Sequence, residues 1–431
     1  MVIILKIAGL IFKEFSSLLT DEFFWIILII LIMMYKKNER LENTMLGKSF
    51  PILGKVSGSV LVGIAAGILG SLMIVLVGLN IDDYTKTSGG SLAKSITYIW
   101  ILAIILAMVN PRYLCFSYAG GIVALANLVF GFPAVNVSGL LALIGILHLI
   151  ESFLIWFDGY SYSVPLFMRK NDGRTIGGYV MNKIWPIPLV VFAVAFGGEA
   201  GRTGIAGIGD MPSWWPLLKH SASEGTLGLT YIPLVVPVVL GYGDIAITRP
   251  AEKRCSSSAV RLAGYSVILI VLSILASEIK FFAFAAAVFA PLAHELLIIY
   301  GAKEEEEGKP LYESNEAGVS VLYTIKDSPA GSMGIEAGDV ILSINGIMLH
   351  DEKELTEFLL SYPTYIWLEI RKYGGARKTV EFSDYRNGVE NLGVLIVPRN
   401  SDIYFEINGS NSPIKRIAGF FREKRKKNIG M

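Results

Sequence analysis

Up to Tyr300 the chain is written in long apolar runs broken by short polar stretches, and after Gly301 it changes to short alternating runs. Crossing a bilayer as a helix takes about 20 apolar residues, and on that measure about nine segments predict membrane spans. They are Leu18–Tyr35, Ser59–Leu79, Ile96–Val109, Tyr113–Phe132, Val137–Phe157, Ile184–Gly198, Thr230–Thr248, Val260–Ser277 and Phe281–Tyr300. The expected fold class is a polytopic α-helical membrane bundle over residues 1–300, followed by a small α+β domain. Lys6, Lys13 and Ser17 fall near one helical face of the first apolar run, which predicts an interfacial helix, with an additional span as the alternative.

Two loops carry pattern of their own. Val164–Lys183 has two partly alternating runs around Asn171-Asp172-Gly173 and predicts a β-hairpin. Glu199–Leu229 is glycine-rich, and its Trp214 and Trp215 are expected to rest at headgroup level. Residues 301–309 read as a charged linker. Over 310–400, "SNEAGVSVLYTI", "TYIWLEIRKY" and "RKTVEFS" predict strands, and "DEKELTEFLLSY" a helix capped by Asp351 with Glu354 three residues on. The rest, 401–431, is a basic tail. In its 412–427 segment Ile414, Ile417, Ala418 and Phe421 share a helical face among basic residues, which predicts adhesion to anionic lipid.

Composition agrees with the pattern. Of 431 residues, 53% are hydrophobic and 17% charged, and the mean hydropathy is +0.54, values outside the range of soluble chains of this length. The net charge of +1 gives no footprint for nucleic acid. Lys and Arg concentrate in alternate loops, at Lys36–Lys55, Arg112, Arg169–Lys183 and Arg249–Arg261, and that side is expected to be cytoplasmic. The region after Tyr300 then also lies in the cytoplasm. Cys115 and Cys255 follow no disulfide or metal-ligand spacing, and the four histidines are a small inventory for a metal enzyme. No cofactor and no metal is expected.

Asp327–Leu349, "DSPAGSMGIEAGDVILSINGIML", resembles the centre of bacterial PDZ domains. Pro329 and Gly331 shape a turn, Gly338-Asp339 leads into a strand, and Asn345-Gly346 suits a tight hairpin. The resemblance implies capture of an extended peptide by strand addition at a sheet edge beside a helix. The family's carboxylate-binding loop finds its nearest match in Asn391, Leu392, Gly393 and Val394, at the far end of the module, which implies a rearranged strand order. Leu355 and Leu359 on the helix are candidate groove or core residues, with core the safer assignment for either alone.

"APLAHELLIIYG" offers His294-Glu295, half of a zinc-protease signature. Such a site needs a second histidine one turn on, and Ile298 stands there. The Asp158-Gly159 of "WFDGY" precedes the PDZ-like segment, where a site-2 protease would need it to follow. No catalytic residue is assigned. At ~1.5 Å per residue, Glu151, Asp244 and His294 would all lie roughly 6–9 Å below one interface. His148, Glu151, Asp244, His294 and Glu295 are therefore expected to form an intramembrane polar cluster. "NPRYLCFSYAGG", Asn110–Gly121, reads as a packing element.

Taken whole, the chain resembles the MinJ-like polytopic membrane proteins of Firmicutes, and "NPRYLCFSYAGGI" and "PLAHELLI" are similar to stretches of that group. The resemblance implies a non-enzymatic scaffold in division-site selection, with a protein or peptide partner at the PDZ domain. A transporter, an atypical intramembrane hydrolase using the buried His and acidic residues, and a regulatory subunit of a membrane protease remain as alternatives. Homo-oligomerisation is left open.

Overall fold

The computed structural model describes residues 9, 22–47, 49–82, 92–170, 173–196, 218, 229–313, 318–399 and 405–406. The expected N-terminal interfacial helix (apart from residue 9), Trp214 and Trp215, and the 412–427 segment of the basic tail lie outside the described residues.

Helices α1 (Glu22–Leu46) and α2 (Ile52–Val77) precede a short strand, β1 (Asn80–Asp82). Then come α3 (Leu92–Val109), a 3-10 turn at Pro111–Leu114, α4 (Phe116–Phe130) and α5 (Val137–Asp158). Strands β2 (Val164–Arg169), β3 (Thr175–Phe196) and β4 (Leu229–Ala246) follow, and α6 (Ala251–Ala276) and α7 (Lys280–Glu307) complete this part. Among the described residues α2, α5, α6 and α7 are long and apolar enough to cross a membrane, while α3 and α4 are apolar but shorter. α5 is the most enclosed of the four and packs on α6, and α7 packs on α4 and α6.

The expected spans Ile184–Gly198 and Thr230–Thr248 are not helices. They belong to β3 and β4, paired antiparallel from Tyr179↔Ala246 to Phe196↔Leu229. Their proline content explains this. Pro186, Pro188, Pro233 and Pro237 would each delete a helical hydrogen bond and clash with the preceding turn, and the intervening Val and Ile residues favour a pleated surface. The edge of β3 away from β4 is closed piecemeal. β2 pairs with residues 175–180 and β1 with 192–194. Between them the Val190 N–H donates to Ser71 Oγ of α2 at 2.8 Å. With a period of two, positions 186 and 188 point the same way, and as prolines they bring no N–H to satisfy. Their carbonyl oxygens abut Gly63 and Gly67 of α2, where any Cβ would collide with them. A glycine ridge thus takes the place of a neighbouring strand.

Residues 301–307, expected as linker, continue α7. Buried Glu305 holds that end by accepting the Ile247 and Thr248 N–H groups at 2.7 and 2.8 Å.

The second unit comprises β5 (Val319–Thr324), α8 (Pro329–Ser332), β6 (Val340–Ile344), β7 (Ile347–Met348), α9 (Glu352–Leu359), β8 (Tyr365–Arg371), β9 (Arg377–Ser383) and β10 (Val394–Ile396). The strand order is β10-β5-β6-β8-β9, with β7 on β6. Asn345 and Gly346, both at positive φ, make the two-residue turn between β6 and β7. Gly338 at φ 95° delivers Asp339 into the interior, where it accepts from the Glu336 N–H, the Tyr373 N–H and Lys372 Nζ at 2.9, 3.1 and 2.9 Å. Burial lowers the Lys372 pKa, but Asp339 and Glu336 outweigh it and hold the ammonium above its ordinary value. Ile341, Ile344, Leu355, Leu359, Ile366, Leu368 and Ile370 form the core. A last strand, β11 (Phe405–Glu406), returns to pair with β2.

The two units are in direct contact. The Gly177 N–H donates to Tyr312 O at 2.7 Å, and Tyr179 Oη donates to the Leu322 carbonyl. A Cβ at Gly177 would lie 2.8 to 2.9 Å from Leu322, Tyr312 and Val397, so glycine is what lets the sheets approach.

Candidate functional site

In the second unit, β10 ends the strand order and pairs with β5 alone among the described residues. The loop before it is held tightly. Asn391 Oδ1 accepts the Gly393 N–H at 2.7 Å, the Gly393 carbonyl accepts from Ile325, and the Leu392 carbonyl accepts from Ala330. Gly393, at φ 75°, lies against Ser328 with no room for a Cβ. Of the expected peptide-contacting residues, Leu355, Leu359 and Leu392 are buried in the core. Their apolar side chains are consumed in joining α9 to the sheet, so they are not groove surface. Val394 and Phe358 are half-buried against that core and remain at its rim.

The expected intramembrane cluster divides. His148 on α5 and His294 on α7 come together, with ring centroids 5.1 Å apart. Cys115, the N-cap of α4, joins them: its Sγ is 3.1 Å from His148 Nε2 and 3.6 Å from His294 Nε2. Glu151, one turn along from His148, makes no hydrogen bond among the described residues but lies within electrostatic reach of Cys115 and Tyr265. Glu295 turns elsewhere, accepting from Tyr118 Oη at 2.5 Å and pairing with Arg112 at 3.0 Å. Asp244 is not part of the cluster. It sits on β4, where Arg254 donates Nε and Nη2 to its two oxygens at 2.8 and 3.2 Å. The helical rise that sets the expected depth of Asp244 does not apply to a residue on a strand.

A second polar network thus lies where α6 and α7 meet β4. Buried Arg254 also reaches Glu304 and Glu305, and Arg249 and Arg261 pair with Glu304. Gly301 leaves the space that the Arg254 guanidinium occupies. Asp158 has a structural role: it accepts from Lys183 Nζ and from the indole Nε1 of fully buried Trp185, at 3.1 and 2.7 Å.

Sequence reasoning missed Cys115. Its partners lie 33 and 179 residues away, so no local spacing announces it. The available signal was its place in Asn110–Gly121, a polar interruption between two apolar helices.

The PDZ domain family matches residues 321–372. The chain is 24% identical over 268 residues to the cell division topological determinant MinJ of Bacillus subtilis strain 168, covering 62% of this chain. It spans about 62% of that relative's length. The probable MinJ of Lacticaseibacillus paracasei is 23% identical over 279 residues, 62% of this chain and 70% of the relative. A solved PDZ domain of an SdrC-like protein from Listeria monocytogenes is 22% identical, covers 19% of this chain and 90% of its own, and superposes with a TM-score of 0.17, too low to bear on the fold. Four helices among the described residues that are able to cross a membrane, the PDZ match and these relatives converge: the chain is similar to the MinJ division determinants over 62% of its length and carries a PDZ domain.

Proposed function

We propose that this protein is a non-enzymatic membrane scaffold in division-site selection whose PDZ domain captures a protein or peptide partner. The observation that carries the reading is β10, an edge strand whose outer side takes no strand among the described residues, in a domain type that binds extended peptides by strand addition. The relatives named as division determinants supply the process. Ile298 in place of a second helical histidine, and the engagement of Glu295 by Arg112 and Tyr118, favour a scaffold over a hydrolase.

In this reading the PDZ domain, residues 310–400, faces the cytoplasm, the side that the Lys and Arg distribution favours. The 412–427 segment adheres to anionic lipid there. Val394 and Phe358, with the Asn391–Gly393 loop, border the peptide site. The test is the position of the fluorescently tagged protein in dividing cells of its host. The intact chain should concentrate at division sites. A chain lacking residues 310–398 should stay membrane-inserted and disperse. A truncated chain that still concentrated there and supported normal septum placement would refute the proposal.

A further inference from the structure

We propose that Cys115, His148 and His294 form a binding site for a zinc-class divalent cation that ties α4, α5 and α7 together. One sulfur and two imidazole nitrogens, all mutually within 4.8 Å, come from three helices. Zinc bonds of about 2.3 Å to sulfur and about 2.0 Å to nitrogen, set tetrahedrally, put such ligand atoms roughly 3.5 Å apart. The observed sulfur–nitrogen separations of 3.1 and 3.6 Å bracket that value.

The surroundings prepare the ligands. His148 Nδ1 lies 2.8 Å from the Ile144 carbonyl, which can only accept, so the proton sits on Nδ1 and the Nε2 lone pair is turned to Cys115. A backbone carbonyl behind the ligating imidazole is the usual support of a metal-bound histidine. His294 has no such anchor: among the described residues its buried Nδ1 has no hydrogen-bond partner, so its ring is held on the nitrogen side by the sulfur alone. A single thiol proton cannot serve two imidazoles, whereas a cation takes both lone pairs.

Tyr118 and Tyr265 stand edge-on to the His294 ring at 5.3 and 5.7 Å and screen it. Ser117, next to Cys115, fixes the helix register through Tyr265 Oη at 2.5 Å and the Ala290 carbonyl at 2.6 Å. Charge also balances. Binding releases one proton from Cys115 and one from Glu151 to solvent, and the thiolate and carboxylate left behind neutralise a divalent ion in a setting where net charge is costly. Glu295, occupied by Arg112 and Tyr118, is not placed to activate a metal-bound water, so the role is a staple and not a hydrolytic centre.

The experiment uses the full-length chain in detergent, stripped of metal and titrated with Zn²⁺ and, as a spectroscopic probe, Co²⁺. About one metal per chain is expected, with a near-ultraviolet thiolate-to-cobalt charge-transfer band and tetrahedral visible bands. Cys115→Ser should abolish the charge-transfer band and weaken binding by more than the about 10- to 100-fold that loss of an outer-shell partner costs. Cys255→Ser should leave both unchanged. Metal below about one tenth per chain in the wild type, or a band that survives Cys115→Ser, overturns the proposal. Should Cys115→Ser fail to fold, the wild-type and Cys255→Ser spectra decide alone, since the band requires a thiolate and only Cys115 would remain to supply it.

Discussion

Between β1 and β2, the flank of β3 that faces α2 has lost two amide protons to Pro186 and Pro188, gives a third to Ser71, and lays its carbonyls on glycines. In the PDZ sheet, β10 ends the strand order with no proline in Val394–Ile396 and no strand on its outer side among the described residues. The first edge is sealed by composition, the second left able to pair. The contrast teaches that edge chemistry, more than strand length or apolarity, separates an edge that is closed from one that, under the proposed function, takes a peptide.

Four changes would break or sharpen that comparison. Arg254→Ala should cost most, about 3–5 kcal/mol, because it strands the buried carboxylate of Glu305 and the half-buried one of Asp244. Thermal unfolding in detergent should show the loss in the membrane unit, with Trp367 of β8 reporting an unchanged PDZ transition. Leu368→Ala empties part of the other core and should cost about 2–5 kcal/mol. There the PDZ unit should become protease-sensitive while the bundle stays resistant. Gly67→Val drives a side chain into the Pro188 carbonyl and should cost about 1–3 kcal/mol. Faster amide exchange at Val190 and its neighbours would localise the damage to the sealed edge. Asp351→Ala removes the cap on the Glu354 N–H, a 3.0 Å bond, and should cost about 1 kcal/mol in PDZ stability. Isothermal denaturation would read it, and an unchanged midpoint would mean that α9 is held by Leu355 and Leu359 alone.

Legibility followed the range of the interactions. The Gly338-Asp339 turn, the Asn345-Gly346 hairpin and the Asp351 cap are set within a few residues, and each is where its local chemistry puts it. β3 and β4 were misread because a length-and-apolarity criterion ignores backbone chemistry. The four prolines carried the contrary signal, but the glycine ridge that makes a proline-bearing strand tolerable lies on α2, more than a hundred residues upstream of both. The polar seam was half legible. A buried histidine asks for a partner wherever it is, so pairing His148 with His294 needed only depth. Adding Cys115 and removing Asp244 needed the helix directions and the strand assignment, which no short window of sequence holds.

The sealed flank also bears on how the chain is made. Residues 186–190 turn their outward backbone groups to α2, so that flank of the hairpin closes only once α2 stands beside it. α2 is synthesised first and can insert as an independent helix, serving the later strand as a built-in template. Moving that helix downstream in a circular permutant would leave the prolines' carbonyls bare in the nascent chain.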